Sequence, residues 1–135
     1  MAHPRGLAVD GVLLLDGRLL TVIRGNPPFQ GAHALPGGHV ELGEGTEAAM
    51  LREFLEETGL RVAIERLIGV YSDPRRDPRG HTVSVAYSLR KTGGTLAAGS
   101  DAADLDLVDP RNLPRMAFDH ATIVADYFAG GQRFR

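Results

Sequence analysis

Gly37-Gly38-His39-Val40-Glu41-Leu42-Gly43-Glu44-Gly45-Thr46-Glu47-Ala48-Ala49-Met50-Leu51-Arg52-Glu53-Phe54-Leu55-Glu56-Glu57-Thr58-Gly59-Leu60 is the stretch on which the reading of this chain turns. It opens as a glycine-rich loop and passes at Thr46 into a helical pattern that stops at Gly59. Thr46 reads as the N-cap with Glu47 in the first turn, and Gly59 stands where a helix ends on a left-handed residue. At about 100° per residue, Ala48, Leu51 and Leu55 gather on one face and Met50 and Phe54 widen it, with Glu53, Glu56 and Glu57 read as opposite. Ala49, one turn before Glu53, leaves room above the carboxylates. Glu53 and Glu57 are like charges at i,i+4, a pairing that costs roughly 0.2–0.5 kcal/mol. Glu56 and Glu57 also crowd the negative end of the helix dipole, for roughly 0.3–1 kcal/mol each. A bound cation reverses both penalties; a solvated acidic face, eased by Arg52 four residues before Glu56, is the alternative.

Outward from the helix, the chain reads as a single domain, 1–135. It has 43% apolar residues, enough for one core. Residues 6–15 and 18–24 read as a strand pair joined by Asp16-Gly17, a dipeptide suited to a two-residue hairpin. Residues 25–38 are mostly loop, with a short strand near His33–Leu35. Val62–Ser72 and His81–Arg90 read as strands around a loop at 73–80. A second loop spans Thr92–Asp104, a strand follows at Leu105–Val108, and a helix fits Asp119–Ala129. About six strands and two helices suit an α/β fold with helices packed on a mixed sheet.

With no cysteine, any metal must be held by carboxylate, imidazole or backbone oxygen, which points to hard cations. The net charge of −2 argues against a nucleic-acid partner bound through its phosphates. No apolar run approaches the roughly 20 residues that cross a bilayer, and Asp16 cuts the early Val12–Leu15 run short, so no membrane partner or signal peptide is expected and the protein reads as cytoplasmic. Charge is unevenly spread: six of the seven glutamates lie between Glu41 and Glu57, and Arg75, Arg76 and Arg79 cluster some twenty residues later.

The spacing Gly38, Glu44, then Arg52-Glu53-Phe54-Leu55-Glu56-Glu57-Thr58-Gly59-Leu60 resembles the Nudix box, with Phe54 at a packing position where the family usually has an aliphatic residue. The resemblance implies a Nudix-type α/β/α sandwich, a mixed β-sheet flanked by helices. It also implies hydrolysis of a nucleoside diphosphate linked to another group, with Mg²⁺ or Mn²⁺. On this sequence Glu53, Glu56 and Glu57 match the metal-binding carboxylates and the Gly37 carbonyl a further ligand, while Arg52 and Glu44 form a supporting pair. Family members differ over the general base. A helix residue, Glu53 or Glu56, is favoured over Asp101 or Asp104 from the 92–104 loop.

Residues 71–83, with Pro74 about fifteen residues beyond the box, resemble the ADP-ribose pyrophosphatase branch, as does Phe118-Asp119-His120, though Asp119 also reads as an N-cap. Arg75, Arg76 and Arg79 would meet phosphate or ribose oxygens, and Arg24 is a further phosphate candidate by the same resemblance. His33 stands where many relatives have tryptophan, so no stacking platform is expected there. His39, His81 and His120 are read as structural. The leading expectation is hydrolysis of ADP-ribose to AMP and ribose 5-phosphate. The alternatives are a nucleoside triphosphate pyrophosphatase, including one that sanitises oxidised dGTP, and a non-catalytic ADP-ribose sensor. Relatives are commonly dimers, so a homodimer is among the expectations.

Overall fold

The computed structural model describes residues 2–99 and 102–135. Its elements are β1 (Gly6–Leu15), β2 (Arg18–Arg24), β3 (His33–Ala34), β4 (Gly37–His39), α1 (Thr46–Thr58), β5 (Leu60–Tyr71), β6 (Thr82–Gly94), β7 (Ala102–Val108), α2 (His120–Ala129) and β8 (Arg133–Phe134). Asp16 and Gly17 take positive φ, 50° and 79°, so the β1–β2 turn is the hairpin that their pairing demands.

The eight strands form a mixed sheet in the order β3-β2-β1-β6-β5-β8, with β4 on β1 and β7 on β2. β1 runs parallel to β6 on one edge. Its other edge is divided. Ala8–Asp10 pair antiparallel with Gly37–His39, while Leu14 and Leu15 pair with Leu19 and Arg18. β2 therefore leaves β1 where β4 takes over, and the sheet opens there.

Side-chain alternation along β1 separates two apolar layers. Val9 and Leu13 pack with Leu20, Met50, Phe54, Leu60 and Leu89 beneath α1. Val12 packs with Leu19, Leu35, Ile68, Tyr71, Ile123 and Val124 beneath α2. One helix on each face makes the expected α/β/α sandwich.

The structure corrects several local expectations. α1 buries Ala49, Met50, Phe54 and Thr58, whereas Leu51 and Leu55 are each 40% exposed and Ala48 is exposed. Glu53 lies between Ala49 and Met50 around the helix axis, about 160° from Leu51 and Leu55. Glu53 and Glu57 thus share the sheet-facing side instead of opposing it. The N-cap is Gly45 with no side-chain cap; the Thr46 hydroxyl meets the Tyr87 hydroxyl at 2.7 Å. Gly59 ends the helix at φ 77°, its N–H on the Leu55 carbonyl. β4 falls inside the segment read as loop, β8 follows α2, and β6 and β7 both run into the expected 92–104 loop. No described helix is long and apolar enough to cross a membrane.

Candidate active site

The opening between β1 and β2 is a cavity of about 790 Å³. Asp10, Arg24, Gly37, Gly38, His39, Glu53, Glu56, Glu57, Arg76, Asp77, Arg79, Phe118 and His120 are among the residues lining it. Two chemically opposite walls result, carboxylates from α1 on one and arginines from β2 and the 72–81 loop on the other.

The acid wall depends on close backbone approach. A Cβ at Gly37 would strike the Val9 carbonyl, so only glycine lets β4 lie this close to β1 there, while one at Gly38 would strike the Glu53 carboxylate and displace it. The Gly37 N–H donates to Glu57 Oε2 at 2.8 Å. Arg52 donates to both Glu44 oxygens, Nε to Oε2 at 2.7 Å and Nη2 to Oε1 at 2.9 Å, and its Nη2 also reaches the His39 carbonyl. This fork and the Glu41 N–H hold the Glu44 carboxyl at about 2. Arg52 Nη1 meets Glu53 Oε1 at 2.9 Å and Glu56 Oε2 at 3.3 Å. Burial pushes the Glu53 carboxyl up, and Arg52 opposes that shift.

Arg52 therefore ties Glu44, Glu53 and Glu56 together, and no three carboxylate or imidazole groups among the described residues converge as a preformed cation cage. The donor chemistry nevertheless fits a hard cation. The set is all oxygen, Glu53 and Glu57 lie one turn and about 40° apart on the cavity side, and Arg52 Nη1 already places positive charge against Glu53 and Glu56 while its other nitrogens hold the Glu44 fork.

On the basic wall, Arg24 Nε donates to the Pro28 carbonyl at 2.7 Å, and the guanidinium lies over Phe118, 5.0 Å from the ring centroid. Arg79 lies over the same ring at 5.6 Å and is held by Asp77 through Nε and Nη2. Burial, then the nearby Arg79 charge, lowers the Arg24 guanidinium from its usual range. Phe118 holds a left-handed φ of 51°, a conformation unfavourable for a bulky residue.

The other two arginines behave differently. Arg76 forks onto Asp119 at 2.9 and 2.6 Å, with Asp10 at 3.9 Å, and at 5% exposed against 37% for Arg79 it is enclosed in the cavity wall. Asp119 occupies the N-cap position of α2 without a side-chain cap bond, its carboxylate being committed to Arg76. Arg75 is 90% exposed, pairs with Asp73 and does not line the cavity. It is not brought to the site with Arg24 and Arg79.

Asp104 sits on β7, exposed, accepting from the Leu105 N–H, and does not line the cavity; Asp101 lies outside the described residues. His33 bonds Thr21, and His81 meets the Ser72 carbonyl, both away from the cavity. His39 lines it, and burial lowers its imidazole. The main residue that sequence reading missed is Asp10. A single charge inside the apolar run Gly6–Leu15 was the available signal, since a buried carboxylate needs partners.

The NUDIX domain family matches residues 4–127. The chain is 50% identical over 125 residues to an ADP-ribose pyrophosphatase of Methanocaldococcus jannaschii, covering 93% of this chain and 73% of that protein. A MutT/nudix family protein from Enterococcus faecalis superposes with a TM-score of 0.80 at 29% identity, over 96% of this chain. This chain spans 62% of that one, less than two thirds. The NUDIX domain of Shewanella oneidensis NrtR, solved as a complex with ADP ribose, superposes at 0.80 with 26% identity, over 95% of this chain and 89% of that chain.

Proposed function

The chain belongs to the NUDIX family, and from that premise we propose that it hydrolyses ADP-ribose to AMP and ribose 5-phosphate. The observation that carries the reading is the pairing of walls: one cavity has the α1 carboxylates on one side and Arg24, Arg79 and Phe118 on the other. A diphosphate flanked by two riboses, with adenine at one end, presents anionic, hydroxyl and planar groups for such walls to engage. The 50% identical ADP-ribose pyrophosphatase and the NUDIX domain solved with ADP ribose support this substrate.

Nudix hydrolases generally use divalent cations, and Glu53, Glu56, Glu57 and the Gly37 carbonyl would hold Mg²⁺ or Mn²⁺ here. When bound, such a cation neutralises diphosphate charge and makes water more acidic. The chain's own groups do the rest. Water adds at a diphosphate phosphorus, the bridging P–O bond breaks, and the water proton passes to a helix carboxylate. Of the two candidates Glu53 is the enclosed one, 18% exposed against 61% for Glu56, and is the better placed to receive it. Arg52 and Glu44 fix the carboxylates' bearings, and Arg24 and Arg79 orient the substrate. Arg76 contributes by bracing the cavity wall. The same reading takes the protein to be cytoplasmic, where free nucleotides are met, and admits a homodimer.

Product analysis tests the reading. ADP-ribose should give AMP and ribose 5-phosphate in a magnesium-dependent reaction that Glu53→Gln suppresses by at least about 100-fold. Untouched ADP-ribose, with a nucleoside triphosphate releasing pyrophosphate, would transfer the assignment to the triphosphate alternative. Binding of ADP-ribose with no turnover of any nucleotide would make the domain a sensor.

A further inference from the structure

Beneath the cavity lies a closed set of buried polar side chains. Asp10 is 8% and His120 4% exposed. His120 Nδ1 accepts the Leu35 N–H at 3.0 Å across 85 residues of chain. With Nδ1 accepting, a neutral ring carries its proton on Nε2, which faces Asp10 Oδ1 at 3.5 Å. Asp10 also takes the Ser84 hydroxyl and lies beside Arg76, whose fork ends on Asp119, the residue preceding His120. The ring thereby closes on itself.

This ring is attached to one short piece of backbone. Leu35 is held through its N–H by His120, Pro36 through its carbonyl by the Gly11 N–H at 2.9 Å, and Gly37 through its N–H by Glu57 at 2.8 Å. Pro36 has no N–H to offer, so Leu35 carries the only donor between Ala34 and Gly37. Asp10 is the register partner of Gly37, and its Oδ1 lies 2.8 Å from where a Gly37 Cβ would stand. The ring thus braces the 35–37 backbone from the side away from α1.

We propose that His120 is a positioning residue: through the Leu35 N–H it fixes the direction of the Gly37 carbonyl toward the divalent-cation site. This rests on the reading of Gly37, Glu53, Glu56 and Glu57 as the cation's ligands. Groups behind metal ligands typically govern affinity by 10–100-fold. A histidine that merely fills the core would not be sensitive to which of its two nitrogens is imitated.

The test uses the full chain and Mn²⁺, with free ion followed by electron paramagnetic resonance and melting temperature recorded beside it. His120→Asn keeps an acceptor near the Nδ1 position; His120→Gln keeps a donor near Nε2 and loses that acceptor. His120→Ala and H120Q should weaken Mn²⁺ binding about tenfold or more, and H120N should restore it to within about threefold of wild type. Equal Mn²⁺ affinity in H120N and H120Q overturns the proposal, whatever their melting temperatures, and so does wild-type affinity in H120A. A wild-type chain that binds no Mn²⁺ overturns the cation reading itself and the role of His120 with it.

Discussion

Replacing Gly38 with alanine probes the Glu53 carboxylate with a single methyl group. Gly38 does not occupy the left-handed region, so its backbone accepts alanine without conformational strain. The added carbon would fall 2.6 Å from Glu53 Oε1 and closer still to the carboxyl carbon and Oε2, where ordinary contact begins at 3.4 Å. The carboxylate must retreat by about 1 Å, and it can, because it is the free end of a flexible side chain. A displacement of that size at a reacting group costs on the order of 100-fold in rate, equivalent to about 2.7 kcal/mol of barrier. Gly37→Ala is the contrasting control. Its methyl would meet the Val9 carbonyl, a backbone atom that cannot retreat, so this variant should lose stability as well. The measurements are kcat and KM from AMP release, with melting temperature by scanning fluorimetry. G38A should keep its melting temperature to within a few degrees while kcat drops about 100-fold. A G38A protein that turns over within threefold of wild type would refute the placement of Glu53 in the chemistry.

Further outcomes follow from the same geometry. Arg75→Ala should leave KM within about twofold, because the side chain meets only Asp73 and solvent, while Arg79→Ala should raise KM for ADP-ribose about tenfold by removing a charged donor from the cavity; steady-state kinetics separates the two. Glu44 is held at about 2 against 4.5 for the free side chain. Its contribution to stability is complete above 4.5 and is lost as pH falls toward 2, so acid titration of Glu44→Gln should show a shallower decline through that window than wild type. Met50→Ala should cost about 2–5 kcal/mol and Leu51→Ser about 1 kcal/mol or less in urea unfolding, since Met50 is fully buried and Leu51 is 40% exposed.

What the sequence made legible is what depends on neighbours in sequence. The Asp16-Gly17 hairpin and the helix between Thr46 and Gly59 rest on short-range geometry, and the structure places both; the pairing of Arg52 with Glu44 was implied by the resemblance to the Nudix box, and the structure joins the two side chains. The packed face of α1 was not legible by counting apolar residues. Leu51 and Leu55 outweigh Ala49 in hydrophobicity, but the sheet needs the side on which Glu53 and Glu57 reach β4. Thr46 is not the cap because the first helical bond, from the Ala49 N–H, ends on the Gly45 carbonyl, and its hydroxyl meets Tyr87 of β6 instead. β4 and β8 are three and two residues long and exist only through strands distant in sequence, so no local period announces them. Arg75 and Arg76 are indistinguishable by type. Asp119, 43 residues further on, draws one into the protein, and Asp73 keeps the other at the surface.

The two walls of the cavity differ in how they are written into the gene. Residues 37–58 supply the acidic side as one continuous cassette, while the cationic side is assembled from Arg24, Arg79 and Phe118, scattered across almost a hundred positions. Under the proposed function, codons for the acidic wall can therefore be left alone while those for the proposed recognition surface are randomised. A library confined to positions 24, 79 and 118 is the natural starting point for retargeting this scaffold to other diphosphates.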